Sequence, residues 1–319
     1  MSLRPLLGAA LLAIAAAAPA QGYPTKPVRF IIPFAPGGGN DFIARVLSTK
    51  LTAAWGQQVV VDNRPGAAGN LAAETTARAA PDGHTVFQFN VANTIAPSLY
   101  RKITYDPVAD FAAVTQLATS PFILVAHPSV RAASVKEFIA LAKAERGKLN
   151  YASSGNGGVS HLLTEMFKTM AGIEMTHVPY SGAGPALIDL LGGQVQMMFA
   201  VPTTVLPHIK SGKLRGLGIS SARRSPLVPE LPTVAESGVT GYEGGTWYGV
   251  VVPAKTPPAI VTQLHRDFVS ALRAQDVQER LATQGVELVG STPAEFARFI
   301  RSEIPKWAKA VRVSGARVD

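Results

Sequence analysis

Two glycine-rich stretches hold the residues of this chain best suited to chemistry. The first, Gly37-Gly38-Gly39-Asn40-Asp41, follows the apolar run Val28-Arg29-Phe30-Ile31-Ile32 through Pro33-Phe34-Ala35-Pro36. The second, Ser153-Ser154-Gly155-Asn156-Gly157-Gly158, follows Leu149-Asn150-Tyr151-Ala152 and leads to Ser160 and His161. A glycine turn between the end of a strand and the start of a helix leaves several backbone N–H groups unpaired and aimed outward, where the helix dipole also favours negative charge. Such a turn can hold a carboxylate or a phosphate. One loop alone can also be no more than a tight turn, with Asn40 or Ser160 capping a helix. Two such loops in different halves of one chain can grip an anion from both sides.

Other chemistries fit the residues poorly. Neither G-x-x-x-x-G-K-[ST] nor G-x-G-x-x-G is present, which disfavours a nucleotide enzyme. Gly158-Val159-Ser160-His161 has Leu162 where a nucleophile elbow needs its second glycine, so Ser160 is a poor nucleophile candidate. The histidines, at 84, 127, 161, 177, 208 and 265, form no H-E-x-x-H or other close pair, which argues against a metal site. His161 stands apart by its loop position, with loop support and ligand contact as its two readings. No cofactor is implied.

These loops need strands before them and helices after them, and the chain supplies both. From Pro27 onward, short apolar strands alternate with helical segments, the pattern of an α/β protein. Ile43, Val46, Leu47 and Leu51 fall on one helical face after the first loop. Strands at 59–61 and 85–87, bounded by Asn63-Arg64-Pro65-Gly66 and Pro81-Asp82-Gly83, can join the first in one parallel sheet. The wholly apolar Phe122-Ile123-Leu124-Val125-Ala126, then the capping-box start Ser134-Val135-Lys136-Glu137, mark a crossover into a second domain. There the strand, loop and helix order recurs at Ser153 and again at Tyr180-Ser181-Gly182-Ala183-Gly184, with Pro185 at a helix start. Strands near 195–200, 214–220 and 248–252 continue the series, and helices from about Pro258 and Pro293 close it.

Composition narrows the classes further. With 319 residues, 47% of them hydrophobic and 16% charged, the chain can bury one large core or two medium ones. Its net charge of +9 is dispersed, with no basic run, which argues against a nucleic-acid partner and favours encounter with small anions. The absence of cysteine excludes structural disulfides, thiolate chemistry and an acylated N-terminal cysteine. Arg4 and Pro5 precede an apolar stretch from Leu6 to Ala18, and Ala18-Pro19-Ala20 supplies small residues for a signal peptidase. That stretch is shorter than the roughly twenty residues a membrane span needs, so residues 1–20 read as a signal peptide cleaved near Ala20. The expected product is exported, unacylated, monomeric and free of membrane insertion.

Pro33-Phe34-Ala35-Pro36-Gly37-Gly38-Gly39-Asn40-Asp41, Tyr151-Ala152-Ser153-Ser154-Gly155, Gly158-Val159-Ser160-His161-Leu162, His177-Val178-Pro179-Tyr180, Leu190-Leu191-Gly192-Gly193 and Leu231-Pro232-Thr233-Val234-Ala235-Glu236 occur in this order in one family. From Tyr23 to its end the chain resembles the solute-binding proteins of tripartite tricarboxylate transporters, the Bordetella uptake gene (Bug) type. The resemblance implies a periplasmic binding protein type II fold, with two α/β lobes and a ligand cleft between them. It places lobe 1 at residues 21–120 and 248–319 and lobe 2 at 121–247.

It also implies capture of a small carboxylated solute, held largely by main-chain amides and ordered waters, for delivery to the membrane components of a transporter. The expected ligand site comprises Phe34, Gly37, Gly38, Gly39, Asn40 and Asp41 from the first loop. Ser153, Ser154, Gly155, Gly158, Ser160 and His161 come from the second, with Tyr180, Ser181 and Gly182 nearby. Asn93 is expected near the cleft, and Trp247 either as a cleft wall or in the core. Ala96-Pro97 and Gln196 depart from the family's usual Asn-Pro and aspartate, so its common substrates do not carry over automatically. A periplasmic sensor that presents its closed form to a receptor is the alternative, and an extracytoplasmic hydrolase a weaker one.

Overall fold

The computed structural model describes residues 22–34, 36, 39–180, 182–283 and 285–318. The signal segment expected at 1–20 lies outside them. Eleven strands among the described residues form two sheets. The first sheet comprises β1 (Val28–Ile32), β2 (Val59–Asn63), β3 (Thr85–Asn90), β4 (Phe111–Pro121), β10 (Gly245–Pro253) and β11 (Glu287–Leu288), in the order β11-β4-β10-β3-β1-β2. The second comprises β5 (Ile123–Ala126), β6 (Asn150–Ser153), β7 (Thr176–Pro179), β8 (Met197–Ala200) and β9 (Arg215–Ile219), in the order β7-β6-β8-β5-β9.

β1 is apolar on both faces because helices cover both. Val28, Phe30 and Ile32 pack with Ile43, Val46, Leu47 and Leu51 of α1 (Gly39–Trp55) and with Leu264 and Phe268 of α8 (Pro258–Arg273). Ile31 and the neighbouring Phe87 and Phe89 face the other way, toward α2 (Asn70–Ala77) and Ile95 of α3 (Val91–Leu99). As expected from the sequence, β1, β2 and β3 run parallel, and antiparallel β10 and β4 extend their sheet. In the second sheet β6 pairs in parallel with β7 and β8. The helices of this half are α4 (Val135–Ala144), α5 (Val159–Ala171), α6 (Ala183–Leu191) and α7 (Pro202–Lys210).

The chain crosses between the sheets at Phe122 and again between β9 and β10. Ser220, fully buried, stitches the two crossings together. Its hydroxyl accepts the Phe122 N–H at 2.8 Å and donates to the Gly244 carbonyl at 2.6 Å. Behind the crossings runs α10 (Pro293–Ser314), which packs on α3 of one half and α5 of the other. Its buried Glu303 accepts from the indoles of Trp247 and Trp307 at 2.9 and 2.8 Å and from Lys306 at 3.0 Å. Sequence reading missed α9 (Gln275–Ala282) and β11: both are short, and neither carries a long periodic pattern.

Candidate functional site

The parallel strands decide where the site lies. β3, β1 and β2 are neighbours, and each passes at its carboxyl end into a helix, so α3, α1 and α2 all begin at one edge of the first sheet. β8, β6 and β7 repeat the arrangement in the second half with α7, α5 and α6. Three helix N-termini in each half therefore turn their positive dipole ends toward the edge where α/β sheets receive ligands.

In the first half, Ala35, Gly37 and Gly38 lie outside the described residues. Phe34 is fastened through its carbonyl, which accepts from Asn63 Nδ2 at 2.9 Å. Gly39 opens α1, and glycine suits the position: a Cβ there would stand 3.0 Å from the Tyr248 hydroxyl. Asn40 is half-buried. Asp41 is buried in the first turn and ion-paired with Arg45 at 2.8 Å.

Beside this loop the backbone from Gly66 to Gly69 is left-handed throughout, with φ of 145°, 45°, 53° and 95°. Two of those residues are alanines, for which the conformation costs about 1–2 kcal/mol each. Gly69 has no alternative, since a Cβ would lie 2.8 Å from the Pro33 ring.

Asn93, expected near the cleft, is fully buried in the first turn of α3. Its Oδ1 accepts the Asn90 N–H at 3.1 Å, and its Nδ2 donates to Tyr105 Oη at 3.3 Å. Tyr105 in turn donates to Asn70 Oδ1 at 2.8 Å, linking the starts of α2 and α3. Burial pushes the Tyr105 hydroxyl up to about 12.

The second loop is wired by side chains. Ser160 Oγ accepts the Ser154 N–H at 3.0 Å and lies 3.0 Å from Ser154 Oγ. His161 Nδ1 accepts the Gly157 N–H at 3.0 Å. His161 thus supports the loop from behind, and its proton sits on Nε2. Its ring stacks on His177 with centroids 4.0 Å apart, and His177 stacks on Tyr151 at 4.8 Å. Burial, then the neighbouring His177, lowers the His161 pKa to about 4, and burial lowers that of His177. Tyr151 hydrogen-bonds Glu165, which also holds Lys168.

Ser153 Oγ lies 2.6 Å from His177 Nε2 and accepts the Gly155 N–H at 3.2 Å. This serine–histidine contact is a brace, because Ser153 is completely buried. Gly155 and Gly157 take φ of 138° and 73°, and Gly158 precedes the first turn of α5. A Cβ at Gly157 would fall 2.5 Å from Leu99 of α3, so the loop tip rests on the other half of the molecule.

Gly182 precedes α6, with φ of 149°; Ser181 lies outside the described residues. Tyr180, half-buried, donates to Asp189 at 2.6 Å. Trp247 sits inside β10, buried against Phe89, Phe296 and Phe299.

Sequence reading missed the left-handed turn, the bracing by His177 and the Asn90–Asn93 pairing at the start of α3. The pair of small residues between Gly66 and Gly69 and the three-residue spacing of Asn90 and Asn93 were the available signals. A cavity of about 240 Å³ between the crossings and α10 is lined by Thr119, Trp247 and Glu303, whose carboxylate is already committed to the indoles and Lys306. Among the described residues no group of three His, Cys, Asp or Glu could hold a metal ion, and no helix is long and apolar enough to cross a membrane.

Comparison with known proteins adds independent findings. Residues 43–315 match the model of the tripartite tricarboxylate transporter family receptor. BugT of Bordetella pertussis is 39% identical over 307 residues, covering 96% of this chain and 94% of that protein. An R. palustris protein solved with adipate superposes with a TM-score of 0.83 at 36% identity, over 92% of this chain and 99% of its own. MatC from Rhodopseudomonas palustris, solved with bound malate, gives 0.79 at 33% identity, over 91% and 100%.

Proposed function

The chain belongs to the tripartite tricarboxylate transporter receptor family, and from that premise we propose that it captures a small carboxylated solute and delivers it to the membrane components of a transporter. Its fold is the two-lobed periplasmic binding-protein fold of its structural neighbours, which are solute-binding proteins. The observation that carries the reading is the pair of edges, each with three helix N-termini, at the carboxyl ends of parallel strands. Backbone N–H groups so placed suit a carboxylate, and the adipate and malate of the neighbouring structures are dicarboxylates.

With the amides of Ser154, Gly155 and Gly157 already taken inside the second loop and His161 neutral, the main-chain donors at the start of α5 face the ligand on that side, while the first turn of α1 supplies those of the other. The solute leaves chemically unchanged, since both loop serines with buried hydroxyls, Ser153 and Ser160, serve as braces. Lobe 1 is assigned approximately residues 21–120 and 248–319 and lobe 2 approximately residues 121–247, with β4 and β10 kept whole in lobe 1. The lobes close about Phe122 and the Ser220–Gly244 crossing, where the chain passes between sheets. Cleavage near Ala20 releases a monomer into the periplasm.

A thermal-shift screen with adipate, malate, other di- and tricarboxylates and acidic amino acids tests this reading. A true ligand at a hundred times its Kd adds about 2.7 kcal/mol of apparent stability, and chromatography should return it intact. No shift with any carboxylate, or conversion of the ligand, would overturn it.

A further inference from the structure

Beneath the first loop lies a group of buried polar atoms to which the reading above gives no role. Gln88, fully buried in β3, has no hydrogen-bond partner for either end of its side-chain amide among the described residues. Asn90, two residues on and 3% exposed, uses Oδ1 to accept the Ala92 N–H at 2.8 Å, which caps α3, and leaves Nδ2 without a partner. Asn40 Oδ1, in the first turn of α1, is likewise buried and unpartnered.

These atoms share one side of the sheet. Gln88 pairs with Val250 and Asn90 with Tyr248 across the antiparallel ladder, and directly opposed residues project from the same face. Val250 and Tyr248 belong to the core under α1, and the Tyr248 hydroxyl reaches the start of that helix at Gly39. Burying an amide without a partner is costly, so two in succession under a helix N-terminus call for a use.

We propose that Asn90 and Gln88 complete the carboxylate site from below. Asn90 Nδ2 donates to the bound anion beneath the first turn of α1, and Gln88 positions Asn90 from one step deeper in β3. This rests on the carboxylate-capture reading and adds to it a specificity-determining residue. A neutral amide at position 90 supplies a donor where an acid of the same shape would repel the ligand.

Asn90→Asp is the sharpest test because aspartate keeps the Oδ1 acceptor that caps α3 and replaces the donor with a negative charge. Wild type, Asn90→Asp and Gln88→Met are titrated calorimetrically with adipate and with malate at about pH 7.5 and about pH 5.5, and each variant is compared with wild type at the same pH. The titratable groups on the elements around position 90 are Tyr248 across the ladder, Tyr105 behind Asn93, and Asp41 in the first turn of α1, paired with Arg45.

Asn90→Asp should melt close to wild type yet bind about 100-fold more weakly at the higher pH, the upper range for losing one donor to a charged group. The ratio to wild type should recover several-fold at the lower pH as the new carboxyl takes up a proton. Gln88→Met should melt higher and bind about tenfold more weakly, because it removes the unpartnered amide from the core and the positioning group from the site. Asn90→Asp binding like wild type, or a deficit independent of pH, would overturn the role of Asn90. Gln88→Met with unchanged affinity would overturn that of Gln88. A wild-type protein that binds neither acid, nor any carboxylate of the thermal-shift screen, would instead defeat the underlying reading.

Discussion

The two halves of the site use the same strand, turn and helix design but hold it differently. In the second lobe, Ser153, Ser160, His161 and His177 lock the loop, and among the described residues no buried side-chain polar atom there lacks a partner. In the first lobe the loop is braced by backbone shape, a left-handed run pressed against Pro33, while Asn40, Gln88 and Asn90 keep unspent hydrogen-bonding atoms. The difference teaches a division of labour. The loop amides of the second lobe are already held by neutral side chains, whereas in the first the proposed role of Asn90 keeps its Nδ2 as a donor for the ligand.

The largest effect should come from the backbone brace. Gly69→Ala places a methyl against a proline ring at a φ of 95°, so thermal unfolding should show a loss of about 2–4 kcal/mol, from left-handed strain plus overpacking. A near-neutral result would mean that the first lobe is not held by this turn.

Acid should weaken the second lobe next. His161 takes up a proton at about 4 in the folded protein and at its ordinary value near 6.5 when unfolded. Between those values the unfolded chain binds more protons, so stability falls as the pH is lowered through that window, by ~3 kcal/mol in all from this group. Above about pH 7 its contribution is flat. Denaturant melts across pH 4 to 7.5 check this.

His161→Phe sharpens the same point. It keeps a ring to stack on His177 but removes the acceptor from the Gly157 amide, so stability should drop by about 1–3 kcal/mol at neutral pH and much of the acid dependence should disappear. An acid slope left intact in that variant would assign the proton uptake elsewhere. At the small end, Lys255→Ala, exposed and outside both loops, should change melting and affinity by no more than about 0.5 kcal/mol.

Both loops were legible because glycines cluster where an apolar strand gives way to a helical face, a strictly local signal. The sheet order was only partly legible. Val28–Ile32, Val59–Asn63 and Thr85–Asn90 read as parallel partners, but the insertion of β10 between β3 and β4 joins segments more than a hundred residues apart in sequence. Trp247 illustrates the same limit: its place in the core is set by Glu303 and Phe296, which reach it only through α10. Asn93 reads from the sequence as a polar residue near the cleft, and its commitment to Asn90 and Tyr105 emerges only when α3 is capped and packed. Local turn chemistry is written in neighbouring residues, whereas the partners of a buried amide are chosen by the fold.

One carboxylate is proposed to bridge the two edges, and a crystal structure of the complex with the acid that most raises the melting temperature tests this directly. The carboxylate should accept N–H groups from both the first turn of α5 and the first turn of α1, at about 2.7–3.2 Å. A carboxylate bound to one lobe alone, or held by side-chain cations with both turns unused, would contradict the account.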